Sequence, residues 1–233
     1  MAKDTLPPEV RERTRARYWY RKANIPEHLW SIDWEKFEGQ PTERASDAAF
    51  DLADGWVNDE GGYRGLAIFG DPGVGKTTVL ATMLCSLIRA TIPTTIQGLF
   101  AEDVQGYFIT LADYHRLYLR SYELDRWATR RDGDASDLVD EWEENFALRR
   151  FIETEVPHLV LDDVGKEHVT GSRAAEDEFH SLIRGRYARG LSTSITSNLH
   201  EKGFAKAYGP AQLSFIQEAC LVFHVEGADM RVS

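Results

Sequence analysis

Apolar residues recur along this chain at two alternating spacings. Short, continuous or period-two apolar runs stand between longer runs with the 3.6-residue period of an amphipathic helix. The short runs are Leu66-Ala67-Ile68-Phe69, Gly106 to Leu111, His158 to Asp163, Ser192 to Ser197 and Cys220 to Val225, and each predicts a strand. The helical runs are Pro8 to Lys22, Ser46 to Trp56, Lys76 to Ala90, a segment through Tyr114 and Tyr118 towards Trp127, and a strongly charged stretch from Ser136 to Glu155. A further helix, Arg173 to Arg189, gathers Phe179, Leu182, Ile183 and Tyr187 for burial. Strand and helix alternating in this way predict an α/β fold with a mostly parallel sheet covered on both faces, its ligands outside the carboxyl ends of the strands. Between Ala23 and Gly39 there is no regular period. The residues Ile25, Leu29, Trp30, Ile32, Trp34 and Phe37 nevertheless need a surface to pack on, so this linker is expected to lie along the core.

Composition narrows the classes. With 233 residues the chain suits one α/β domain with appendages, here divided into a basic helix and linker at 1–40 and a core at 41–233. The longest apolar stretch, Val79 to Ile88, is too short to cross a bilayer, and Met1 to Val10 has no apolar core of signal-peptide type. Cys85 and Cys220 lie far apart in apolar segments with no metal-site spacing, so a reducing cytoplasm is the expected location and no membrane partner is expected. The net charge of −11 excludes a surface that is basic throughout. One local exception is the stretch Arg11 to Lys22, in which Arg13, Arg15, Arg17 and Arg21 alternate with Tyr18, Trp19 and Tyr20. Such a helix can grip nucleic acid or an acidic partner, or be a solvated amphipathic helix.

The most specific chemistry follows the first predicted strand. Gly70-Asp71-Pro72-Gly73-Val74-Gly75-Lys76-Thr77, with Thr78 behind it, has the spacing of a phosphate-binding loop between a strand and a helix. Its glycines let successive amides face an anion, and the following helix adds the positive end of its dipole. Lys76 is expected to contact the β- and γ-phosphates of ATP and the Thr77 hydroxyl to hold Mg²⁺. A carboxylate is then required at the end of a neighbouring strand, and Leu159-Val160-Leu161-Asp162-Asp163 offers one. Asp162 is expected to be the second Mg²⁺ ligand. Asp163, or Glu167 four residues on, is expected to polarise the attacking water. The strand Ser192 to Ser197 is unusually polar for a sheet centre and leads to Asn198, which either orients that water or caps the helix beginning near Glu201.

The phosphate loop, Leu159 to Gly165, the helix ending Arg186-Tyr187 and Thr196-Ser197-Asn198-Leu199 together resemble the DnaC/DnaI-type helicase loaders and the related IstB-type transposition ATPases. The resemblance implies an AAA+ core with sheet order 5-1-4-3-2, ATP-dependent self-association into a ring or spiral, and a replicative DnaB-type helicase as partner. It also implies Asn198 as sensor 1 and a linker, Tyr18 to Phe37, packed near the adenine. Three features depart from the family pattern. Only about forty residues precede the core helix, leaving little room for a helicase-binding domain. No Arg or Lys occurs between Lys206 and Arg231, where the family carries a trans-acting arginine. No helical lid is expected before Ser233, so Arg231 is a sensor-2-like candidate only from the tail.

After the second strand, Tyr114, Arg116, Tyr118 and Arg120 interleave aromatic and basic groups in a region where the family resembles proteins that hold single-stranded DNA. At helical spacing the tyrosines also suit a core face, with the arginines solvated. The expected function is an ATP-dependent loader of a DnaB-type helicase onto single-stranded DNA. The alternatives are an IstB-like transposition ATPase and an ATP-binding adaptor with little hydrolysis. Slow ATP turnover by the chain alone is expected from the stretch without cations.

Overall fold

From Gly65 to Gly70 the side chains alternate as the two-residue period of a strand requires, Leu66 and Ile68 entering one hydrophobic cluster and Ala67 and Phe69 another. This strand, β1, is joined by β2 (Gly106–Thr110), β3 (His158–Val164), β4 (Ser192–Ser197) and β5 (Cys220–Val225) in one sheet of order β2-β3-β4-β1-β5, with every pairing parallel. The expected order is thus observed. The structure is a computed structural model and describes residues 8–57, 65–91, 104–128, 136–165 and 173–230.

One face of the sheet carries α1 (Pro8–Lys22), α2 (Glu43–Val57) and α3 (Lys76–Thr91), with the linker laid between them. Ala16, Trp19 and Tyr20 bury one side of α1, with Ala23 just beyond its end, in the same cluster as Leu80 and Leu84 of α3. The linker contains two 3₁₀ turns, Glu27–Leu29 and Trp34–Phe37, and is tied to the core by Trp34 Nε1, which donates to Ser86 Oγ at 3.1 Å. It also closes the edge strand: Phe108 N–H donates to Ala23 O, and Asn24 Nδ2 donates to Phe108 O, both at 2.8 Å.

The other face carries α4 (Leu111–Ala128), α5 (Ser136–Arg150), α6 (Arg173–Ala188), α7 (Glu201–Tyr208) and α8 (Pro210–Ala219). Thr110 starts α4 by accepting the Asp113 N–H at 3.0 Å, a side-chain cap at the end of β2. The single helix expected from Ser136 to Glu155 ends at Arg150 and gives way to a π-helical turn, Phe151–Glu155. The reason lies in Arg186, fully buried beneath that turn. Its guanidinium donates to Ile152 O, to Val156 O at 3.0 Å, to Ser192 O at 2.7 Å and to Thr193 Oγ1 at 2.9 Å. Burial lowers its pKa to about 9, and the carbonyls compensate for the lost water.

Candidate functional site

The phosphate loop leaves β1 through a glycine that no other residue could replace. Gly70 has φ +142, and a Cβ there would fall 1.8 Å from Val225 O on the neighbouring strand. Gly73 repeats the constraint with φ +79 and a Cβ position 1.9 Å from Asp229 Oδ1. Asp71 closes the loop onto the segment after β5, its Oδ2 accepting Gly227 N–H at 3.2 Å, while Val74 is buried and Pro72 completes the turn. Met230 N–H donates to Gly73 O at 3.2 Å, so residues 226–230 lie across the loop. Nothing in their sequence signals this approach.

Lys76 opens α3 and is almost wholly buried. Its ammonium donates to Gly70 O at 2.9 Å, Asp71 O at 2.5 Å and Asn198 Oδ1 at 2.8 Å. The Asn198 side chain therefore faces Lys76, and the helix cap position of α7 is taken by His200. Thr77 Oγ1 donates to Asp162 Oδ1 at 2.9 Å. That oxygen also accepts from Thr196 Oγ1 at 2.5 Å, and Thr196 Oγ1 in turn accepts the Asp163 N–H at 3.0 Å.

Asp163 sits at an irregularity of register between β3 and β4 and has φ +59, a left-handed conformation that Asp tolerates better than most residues. The kink lets two consecutive aspartates, which a regular strand would send to opposite faces, both line the same cavity. Thr196 holds the kink from the adjacent strand. Its neighbours in β4 serve similar purposes, Ser194 Oγ accepting Leu66 N–H at 3.0 Å and Ser197 Oγ donating to Val164 O at 2.6 Å. The polar strand is explained by these internal bonds. The sequence marks that strand as unusual but does not single out Thr196 within it.

The cavity measures about 670 Å³. Gly73, Gly75, Lys76, Thr77, Thr78, Asp162, Asp163 and Asn198 line one end, and His28, Leu29, Ile32, Phe37 and Gln40 of the linker line the other, with Met230 at the rim. One end suits phosphates and the other an apolar ring. For Mg²⁺ the fit is chemical: a hydroxyl and a carboxylate, both hard oxygen donors, meet at 2.9 Å beside the loop. Thr77 and Asp162 are the residues that would hold it. Glu167 and Arg231 lie outside the described residues.

The interleaved residues of α4 are not brought together as a surface. Tyr114 is only 2% exposed and its hydroxyl donates to Glu153 Oε1 at 2.8 Å, which removes it as a platform for a base and corrects its DNA-binding assignment. Arg120 holds both oxygens of Glu141 at 2.7 Å and Glu123 at 3.1 Å, and Arg116 pairs with Asp113. Tyr118 is half-buried under the Arg149 guanidinium, 5.1 Å from its ring centre. Nearby, Glu178 is buried against His115 Nδ1 at 2.6 Å, and burial raises its pKa to about 8. Among the described residues no helix is long and apolar enough to cross a membrane, and no cluster of three or more His, Cys, Asp or Glu could hold a metal.

No family model and no curated protein matches the chain. Solved structures do. The crystal structure of the DnaC helicase loader is 22% identical at a TM-score of 0.57, over 86% of this chain and 99% of that one. The crystal structure of DnaI is 17% identical at a TM-score of 0.55, over 90% of this chain and 98% of that one. The replication initiator DnaA bound to AMPPCP and single-stranded DNA is 15% identical at a TM-score of 0.52, over 78% of this chain and 46% of that one. At these identities the likeness is one of fold: the chain shares the five-stranded α/β fold of the DnaC and DnaI structures.

Proposed function

We propose that the chain is an ATP-dependent loader that delivers a replicative DnaB-type helicase to single-stranded DNA. The observation that carries the reading is the convergence of Lys76, Thr77, Asp162 and Asn198, from three separate segments, on one cavity of a fold shared with DnaC and DnaI. The loop amides and Lys76 bind the phosphates, and the linker residues Leu29, Ile32 and Phe37 receive the adenine ring. Mg²⁺ supplies charge neutralisation across the phosphates when bound. Asp163, turned into the cavity by its left-handed backbone, takes the proton of the attacking water, and Glu167 is a second candidate for that role. Asn198 orients the water while accepting from Lys76. Arg231 is the candidate for a sensor-2-like role in the same reading. Nucleotide-dependent self-association into a ring or spiral is part of the same reading.

The test is capture of the purified replicative helicase by this chain with and without ATP. ATP-dependent capture that Lys76→Ala abolishes supports the loader reading. Capture of a transposase instead indicates the IstB-like alternative, and tight ATP binding with neither partner indicates an adaptor.

A further inference from the structure

A second cavity, of about 550 Å³, lies between α4, the π-helical turn and α6, and it shares no lining residue with the candidate nucleotide cavity. Tyr114 and Tyr118, the aromatic residues whose spacing stands out in the sequence, both line it. So does Glu178, whose side chain is only 3% exposed. Its Oε2 faces His115 Nδ1 at 2.6 Å, but its Oε1 is buried with no hydrogen-bond partner among the described residues. Leaving a buried carboxyl oxygen without a donor is costly, and a donor entering the cavity would relieve that cost.

We propose that this cavity takes a primary alkylammonium group, as carried by a lysine side chain or a free aliphatic amine, with Glu178 as its anchor. The inference goes beyond the ATPase reading and does not depend on it. An ammonium brings three donors and no acceptor, which suits the acceptors at this end of the cavity. Asp177, next to Glu178 on α6, adds a second carboxylate to the lining. The Tyr114 hydroxyl and Arg149 Nε both donate to Glu153 Oε1 at 2.8 Å, so the charge of Arg149 is met within the wall and the Tyr114 oxygen can still accept. An anion such as a phosphate would be repelled from Glu178 and Asp177.

The rest of the cavity suits an apolar stem. Leu182 and Gly185 continue its lining along α6 and offer methylene groups a surface without charge. Arg189 lines the cavity from just past the end of α6, about 16 Å along the helix axis from Glu178, and its Nη1 donates to Gly185 O at 2.7 Å. A second cation on the ligand would meet that guanidinium, so one ammonium on an aliphatic chain fits better than a polyamine.

The anchor also couples binding to pH. Burial raises the Glu178 pKa to about 8, with Arg149 opposing the shift and Glu153 adding to it. His115 and Tyr114 of α4, Arg149 of α5, Glu153 of the π turn and Asp177 of α6 are the titratable groups around it. Below pH 8 the carboxyl holds its proton, and an arriving ammonium favours the carboxylate, so the proton leaves to solvent. Affinity for the ammonium therefore rises with pH up to about 8 and levels off while the amine itself stays charged.

The experiment titrates the full chain calorimetrically with hexylamine, with Nα-acetyl-lysine methylamide and with uncharged hexanol, across pH and in buffers of different ionisation enthalpy. The parent is compared with Glu178→Gln and with Ser181→Trp, which places an indole at an exposed part of the lining and leaves the carboxyl intact. Both amines should bind the parent with proton release below pH 8, and at least about ten-fold more weakly in each variant, while ATP binding stays parental. Tighter binding of the lysine derivative than of hexylamine assigns the ammonium to a polypeptide, and the reverse order assigns it to a free amine. If Glu178→Gln fails to fold, Ser181→Trp and proton release in the parent decide. No binding of either amine up to about 10 mM overturns the inference. So does binding that survives both substitutions, that releases no proton, or that hexanol matches. A parent that fails to bind ATP would remove the proposed function and leave this inference standing.

Discussion

The candidate nucleotide cavity and the outer surface of α4 are both rich in charged and hydroxyl groups, but they use them in opposite ways. At the cavity, Lys76, Asp162, Thr196 and Asn198 come from segments as much as 122 residues apart and hold one another around an open space. On α4, Arg116 and Arg120 are satisfied by Asp113, Glu123 and Glu141 from the same helix or the one beside it. Long-range convergence around an open space leaves polar groups lining a cavity that a ligand can enter. Local pairing on a convex helix needs no ligand at all. The contrast supports the proposed chemistry for the first region and fits ordinary surface ion pairing in most of the second.

Lys76→Ala should give the largest effect. It removes the ammonium at the centre of three hydrogen bonds but little apolar area, so ATP binding and nucleotide-dependent assembly should be lost while the far-ultraviolet spectrum and melting cooperativity persist. Unchanged ATP affinity by equilibrium titration would break the comparison at its stronger end.

An intermediate effect is expected for Thr196→Val, a near-isosteric change at a buried position. It strips Asp162 Oδ1 of one donor and the Asp163 N–H of its acceptor, which should cost on the order of 1–3 kcal/mol of stability. Weaker Mg²⁺ dependence of ATP binding should accompany it. Thermal melts and Mg²⁺ titrations separate the two contributions, and parental values in both would show that the kink at Asp163 supports itself.

Smallest of the three is the paired variant Arg116→Ala with Arg120→Ala. If these residues held phosphates, as their spacing in the sequence allows, each substitution would lower the salt slope of single-stranded DNA binding by about 0.7. Because both guanidiniums already have carboxylate partners, the expected change for the pair is at most about 0.7. A drop of roughly twice that size would show that both arginines leave those partners for DNA, and the two regions would then differ less than their geometry suggests.

Several features are legible in the sequence because they depend on spacing along the backbone. The apolar periods mark the five strands, with Ser192–Ser197 and Cys220–Val225 matching to the residue, and the sheet order follows from the family resemblance. Loop chemistry is readable too, since strand, glycines, lysine and helix are contiguous and each fixes its neighbour. Tyr114 and Tyr118 are not separable in this way: the same helical spacing suits a buried face and a binding face, and only the position of Glu153 and Arg149 decides.

By itself, then, the sequence marked the five strands, most of the helices and the short glycine-rich run between β1 and α3, all of them local consequences of backbone sterics and apolar period, while α8 and the π turn at Phe151–Glu155 were not legible in it. Tertiary structure alone decided what meets across the fold. The register irregularity that sends Asp162 and Asp163 to one cavity, the burial of Arg186 beneath a π turn, and the burial of Glu178 against His115 each depend on packing between distant segments. Side-chain proximity of that kind is set by how layers stack and twist, and the order of residues along the chain does not encode it locally.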